Sequence, residues 1–152
     1  MSLRARLNDE LKTGMRARDE RLVGTVRLVL AGLKERDIAA RPKGITAVPD
    51  EEIMQMMNGM IKQRRDSIAL YQQGGRPELA QREQDEIDII QRFLPKQLDD
   101  AAVAEAVKAT IAAVGAASVK DMGKVMAALK ERYAGQMDFS RASAVVKQQL
   151  GS

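Results

Sequence analysis

The sequence has no cysteine, no histidine and no tryptophan, and only two tyrosines and two phenylalanines among its 152 residues. Without cysteine there is neither a disulfide nor a thiolate ligand. Without histidine there is no imidazole ligand and no His base. Mechanisms that use a Cys nucleophile or a Cys/His-bound metal are excluded, and no metal, cofactor or catalytic residue is expected. Scarce aromatics and nine methionines count against sheets, which favour β-branched and aromatic side chains, and suit amphipathic helices around a soft aliphatic core. The expected fold class is all-α. Long apolar runs are also missing: none approaches the ~20 residues of a membrane span, and the opening lacks the apolar core of a secretory signal. No membrane partner is expected. The opening MSLRARLNDELKTGMRARDE is arginine-rich like a mitochondrial presequence, but Asp9, Glu10, Asp19 and Glu20 argue against one, and the expected location is cytoplasmic.

The apolar residues that are present recur at helical spacing. Leu3, Leu7, Leu11 and Met15 form one stripe, and Leu22, Val26, Val29, Leu30 and Leu33 a second. The loop ARPKGITAVPD follows, then Asp50, Glu51 and Glu52 at the start of a helix expected from about Ile53 to Gln73. Gly74 and Gly75 end it, and Pro77 suits the first turn of a fourth helix that runs back antiparallel. The segment FLPKQLDD marks a boundary: Pro95 breaks the helix and Asp99 or Asp100 can cap the next. A four-helix bundle-like domain over 1–97 and a small three-helix domain over 98–152 are therefore expected. Helix 5 carries Val103, Val107, Ile111 and Val114, helix 6 is SVKDMGKVMAALKERYAG, and helix 7 carries Phe139, Val145, Val146 and Leu150.

Net charge is +4 with a pI near 9.5, which permits attraction to nucleic acid or anionic lipid. Its placement is more informative. On helix 3, Arg64 shares a face with Met57, Met60, Ile68 and Tyr71. On helix 4, Glu83 and Glu86 share one with Ile87, Ile90 and Leu94. An antiparallel pair brings the guanidinium beside those carboxylates, as an ion pair that sets register or as a polar cluster with a free edge for phosphate. On helix 6, Ser118 and Asp121 fit a capping box, and Val119, Met122, Met126, Leu129 and Tyr133 form the expected buried stripe. Another face holds Lys120, Gly123, Lys124, Ala127 and Lys130. A helix interior accepts glycine at a cost of about 1 kcal/mol relative to alanine, so either a neighbouring helix or a phosphate backbone occupies the space above Gly123.

The stretches KDMGKVMAALKERYAG and SRASAVVKQQL resemble the C-terminal part of the GatB/YqeY family. IKQRRDSIALYQQGGRPELAQREQDEIDIIQRFLPKQL and LRARLNDELKTGMRARDERLVGTVRLVL also match it, so the resemblance covers nearly the whole chain. Gly123, Val125 and Met126 match the family's Gly-x-Val-Met helix core, and Gly135 the glycine after it. Lys120 and Lys124 fall on positions commonly basic in stand-alone members. After Gly135, where relatives show a basic residue, alanine and an acid or amide, this chain has Gln136, Met137 and Asp138. The resemblance implies a helical bundle followed by a module similar to the tail of the B subunit of glutamine-dependent aspartyl/glutamyl-tRNA amidotransferase, which engages tRNA. It also implies that the family label of carbon-nitrogen ligase with glutamine as amido-N-donor belongs to the larger complex, since its Ser-Ser-Lys amidase and kinase-like elements have no match here. The expectation is a non-catalytic accessory protein that binds tRNA or another structured RNA through Lys120, Gly123, Lys124, Lys130 and Arg132. The alternative is an adaptor docking amidotransferase or translation proteins.

Overall fold

Helical periodicity becomes helix throughout the computed structural model, which describes residues 2–151. In the first part of the chain lie α1 (Leu3–Ala17), α2 (Glu20–Ala40), α3 (Asp50–Gln73) and α4 (Pro77–Gln91). The second part holds α5 (Asp100–Val114), α6 (Met122–Arg132) and α7 (Phe139–Gln149). Two short 3-10 turns, Arg41–Lys43 and Val119–Asp121, complete the set, and no strand occurs among the described residues. Local chemistry sets most helix ends. The side chains of Ser2, Asp19, Asp99 and Asp138 accept backbone N–H groups at the starts of α1, α2, α5 and α7. Gly115 ends α5 in the left-handed conformation that a Cβ disfavours.

The chain divides into two compact units, Met1–Pro95 and Lys96–Ser152. The division falls two residues before the sequence boundary and places Lys96 and Gln97 with the second unit. The Leu98 N–H donates to the Gln136 carbonyl at 2.9 Å and the Gln97 amide donates to the Gly135 carbonyl.

In the first unit α3 and α4 form the glycine-turned hairpin, with α1 and α2 packed beside it. Leu7, Val26, Val29, Ile53, Met57, Ile87 and Ile90 lie at the centre of its core. The α1 stripe fades outward: Leu3 and Leu7 are buried, Leu11 is partly covered and Met15 is 54% exposed. A polar clasp closes the end of the bundle where the loop between α2 and α3 returns. Arg4 on α1 donates twice to the Asp37 carboxylate on α2, at 2.7 and 2.8 Å, and once to the Val48 carbonyl at 3.0 Å. Asp37 also accepts the Val48 N–H at 2.9 Å. The Arg4 hydrogen bonds and then the Val48 N–H hold the Asp37 carboxyl at about 2, below its ordinary 3.8.

Two glycines in this unit call for opposite outcomes. A Cβ on Gly14 would lie 3.0 Å from Val23 Cγ2 and 3.2 Å from Leu22 Cγ, whereas one on Gly59 would meet nothing within 4 Å. Gly14→Ala is expected to lower stability by about 1–2 kcal/mol because the branch carbon of Leu22 cannot swing away. Gly59→Ala is expected to raise it by roughly 0.5–1 kcal/mol through helix propensity. Urea denaturation of the two variants tests the contrast, which fails if both shift stability in the same direction.

The second unit packs α5, α6 and α7 against one another. Val107, Val125, Leu129, Ala142 and Val146 are fully buried, and Met137 is nearly so. Thr110 is also fully buried, and its hydroxyl is satisfied by the Ala106 carbonyl at 2.8 Å.

Candidate functional site

Helix α6 starts one turn later than the capping pattern indicates. Val119–Asp121 form a separate 3-10 turn, and α6 proper begins at Met122. The Asp121 carboxylate accepts the N–H groups of Ala117 at 2.9 Å and Ser118 at 3.4 Å. Those two bonds, followed by the charge of Lys124, hold its carboxyl below the usual range. An anion thus stands at the head of α6 beside Lys124, where it takes up part of the attraction that the helix dipole and that lysine could offer a ligand.

The buried arc of α6 is also rotated from the expected stripe. Val125 and Leu129 are fully buried, while Val119, Met122, Met126 and Tyr133 are only partly so. Helix α6 touches both α5 and α7, so its apolar arc is wide and its deepest line lies between the two neighbours. Val119 stands on the 3-10 turn and does not follow the wheel of the helix.

The face away from that arc is open. Gly123, Lys124, Ala127 and Lys130 are exposed, with Lys120 exposed on the preceding turn. A Cβ on Gly123 would meet nothing within 4 Å, so among the described residues of the second unit no neighbouring helix fills the space above it. At about 100° per residue, Glu131 falls on the same face as Lys124, and Arg132 lies half a turn round from Gly123. The fold therefore gathers Lys120, Gly123, Lys124 and Lys130 and leaves Arg132 apart. Three lysines share this surface with two acids: Asp121, which the sequence pattern marks only as a capping residue, and Glu131, which it did not bring forward. The heptad-like distance from Lys124 to Glu131 was the available signal. The turn after Gly135, at φ 74°, carries Met137 into the core and Gln136 in place of a cation.

The Arg64 cluster lies in the other unit. Its Nε donates to Glu86 at 2.8 Å and stands 4.0 Å from Glu83, and a terminal nitrogen donates to the Met60 carbonyl at 3.1 Å. The Arg64 side chain is 13% exposed. Glu86 is the direct partner and Glu83 a peripheral one, with the guanidinium engaged on two sides. An unanticipated arginine nearby in sequence to the core stripe of α1, Arg6, lies over the Phe93 ring at 5.6 Å and donates to the carbonyls of Arg92 and Phe93 at the end of α4. Asp9, Glu10 and Arg92 join them around a shallow, open recess of about 420 Å³.

A family model described as Yqey-like protein matches residues 4–150. The chain belongs to the YqeY-like family. Among curated proteins it is 36% identical over 91 residues to a Lachancea thermotolerans protein called "Altered inheritance of mitochondria protein 41, mitochondrial", a match covering 59% of this chain and 46% of the relative. Proteins of the same name from Eremothecium gossypii and Saccharomyces cerevisiae are 33% and 32% identical, over 59% and 58% of this chain and 48% and 46% of their own lengths. The chain spans about half the length of the curated relatives it matches. The mitochondrial names of these YqeY-like relatives overturn the cytoplasmic placement. The acids that argued against a presequence belong to structural helices: Asp19 caps α2, and α1, which bears Asp9 and Glu10, buries Leu3 and Leu7 in the bundle core. Their presence reports bundle design and not destination.

Proposed function

We propose that this YqeY-like protein is a non-catalytic accessory protein that binds tRNA or another structured RNA through the outer face of α6. The observation that carries this is Gly123: exposed, on a helix, with open space where a side chain would stand, and flanked by Lys120, Lys124 and Lys130. An absent side chain lets a sugar-phosphate backbone approach the helix, and ammonium groups around it supply attraction without reading sequence. The implied role of the amidotransferase tail in engaging tRNA supports the same assignment.

Asp121 and Glu131 limit how strong this surface is. With about three phosphates engaged, affinity should fall on the order of tens-fold between 50 and 200 mM salt. The test is titration of bulk tRNA onto the full chain at several salt concentrations, with Lys120→Glu plus Lys124→Glu as the comparison. The double variant is expected to bind at least about 30-fold more weakly, with a log–log salt slope shallower by about two. Circular dichroism checks that both proteins are folded. No binding at low salt, or identical binding by the variant, overturns the assignment and favours a protein-interaction adaptor.

A further inference from the structure

One face of α2 is left open by the bundle, and it is built to match itself. Gly24, Leu28, Ala31, Glu35 and Ile38 fall within about 40° of a single line along the helix. All are exposed. Leu28 and Ile38 are large apolar residues at 49% and 46% exposure, and a Cβ on Gly24 would meet nothing within 4 Å. Arg27 stands at the edge of the stripe.

The other charges on α2 with tertiary partners point elsewhere: Arg21 pairs with Asp85, Arg36 with Glu52 and Asp37 with Arg4. Arg27 and Glu35 take part in no ion pair among the described residues. Around Ala31 the stripe is complementary under reversal of direction. Seven residues before and after it lie Gly24 and Ile38; four before and after lie Arg27 and Glu35.

We propose that this face of α2 docks a second copy of the chain, the two α2 helices packing antiparallel about a two-fold axis through Ala31. Small residues at 31 allow close approach, the partner's Ile38 fills the gap over Gly24, and Arg27 meets the partner's Glu35, each contact occurring twice. Charge complementarity singles out another copy of the same helix as the occupant. The stripe is roughly 21 Å long at 1.5 Å per residue. One helix face of that length buries less than a standard interface, so the dimer is weak and concentration-dependent.

Sedimentation velocity on the full chain, without RNA, from about 10 to about 500 µM is expected to show monomer passing to dimer. Arg27→Glu alone, which sets like charges opposite each other, should weaken association at least about tenfold, and Arg27→Glu with Glu35→Arg should return it to within about threefold of the natural chain. Since the sequence lacks cysteine, Ala31→Cys provides a second measurement: mild oxidation should give a disulfide dimer faster than with Ala113→Cys, an exposed position on α5. A monomer at every concentration, a dimer indifferent to Arg27→Glu, or a double reversal that fails to restore association overturns the proposal. A monomer that nevertheless floats with anionic vesicles identifies the stripe as a lipid-facing surface instead.

Discussion

Asp37→Ala is expected to lower the thermal midpoint of the first unit by about 8–15 °C, the equivalent of about 2–3 kcal/mol. One carboxylate satisfies a two-pronged guanidinium and a backbone N–H, and so ties α1, α2 and the returning loop into one corner. Its removal leaves the Arg4 charge and the Val48 N–H without their acceptor, and an unpaired donor costs more than the net value of the bond it lost. The pH dependence gives an independent reading. The folded-state value of about 2 lies below the ordinary 3.8, so the folded state binds the proton less readily than the unfolded chain. The contribution is therefore complete above about pH 4 and fades as pH falls toward about 2. The difference in midpoint between the natural chain and Asp37→Asn, followed from neutral pH downward, should shrink through that window. A difference that stays constant to pH 2 would show that the charge of Asp37 has no part in it.

Arg64→Met alone should destabilise the α3–α4 hairpin by roughly 2–3 kcal/mol, because it leaves two partly buried carboxylates on one face of α4 without the cation that pairs with them. Adding Glu86→Leu should recover most of that loss, since two apolar side chains then fill the seam in place of an ion pair. Adding Glu83→Leu instead should recover less, because Glu83 stands at 4.0 Å and Glu86 at 2.8 Å. Chemical denaturation of the three variants reads these differences directly. Equal loss in the single and the Arg64/Glu86 double variant would mean that the two residues are not coupled. The geometry also bears on the idea that Arg64 offers an edge to phosphate: Glu86 and the Met60 carbonyl already hold it on two sides.

Much of the helix inventory is readable from the chain because it is local. Ser2, Asp19, Asp99 and Asp138 cap within three residues of themselves, and Gly74, Gly75 and Gly115 stop helices where they stand. The Arg64 and Glu86 faces are readable for a related reason: a short glycine turn fixes how an antiparallel pair aligns, so distance back from the turn estimates who meets whom. Arg4 and Asp37 are legible only as two charged residues on amphipathic helices, because their meeting depends on how α1 and α2 pack, and the bonds of Val48 to both depend on the loop folding back. The α6 stripe shows the limit in another form. A wheel treats a helix as having one neighbour, and α6 has two, so Val125 became a centre of the core, while Val119 fell on the 3-10 turn before the helix.

By itself the sequence determined an all-helical chain in the YqeY-like family, with no cysteine or histidine chemistry available to it, because composition and three-to-four spacing depend on no distant contact. Tertiary structure decided what each helix face is for. It left Gly123 facing open space, set the Asp121 carboxylate against the Ala117 and Ser118 N–H groups at the head of α6, and left Leu28 and Ile38 outside the bundle. Those outcomes depend on where neighbouring helices end and how many press on each face, and burial is a property of that surrounding arrangement, not of a residue's own position in the chain.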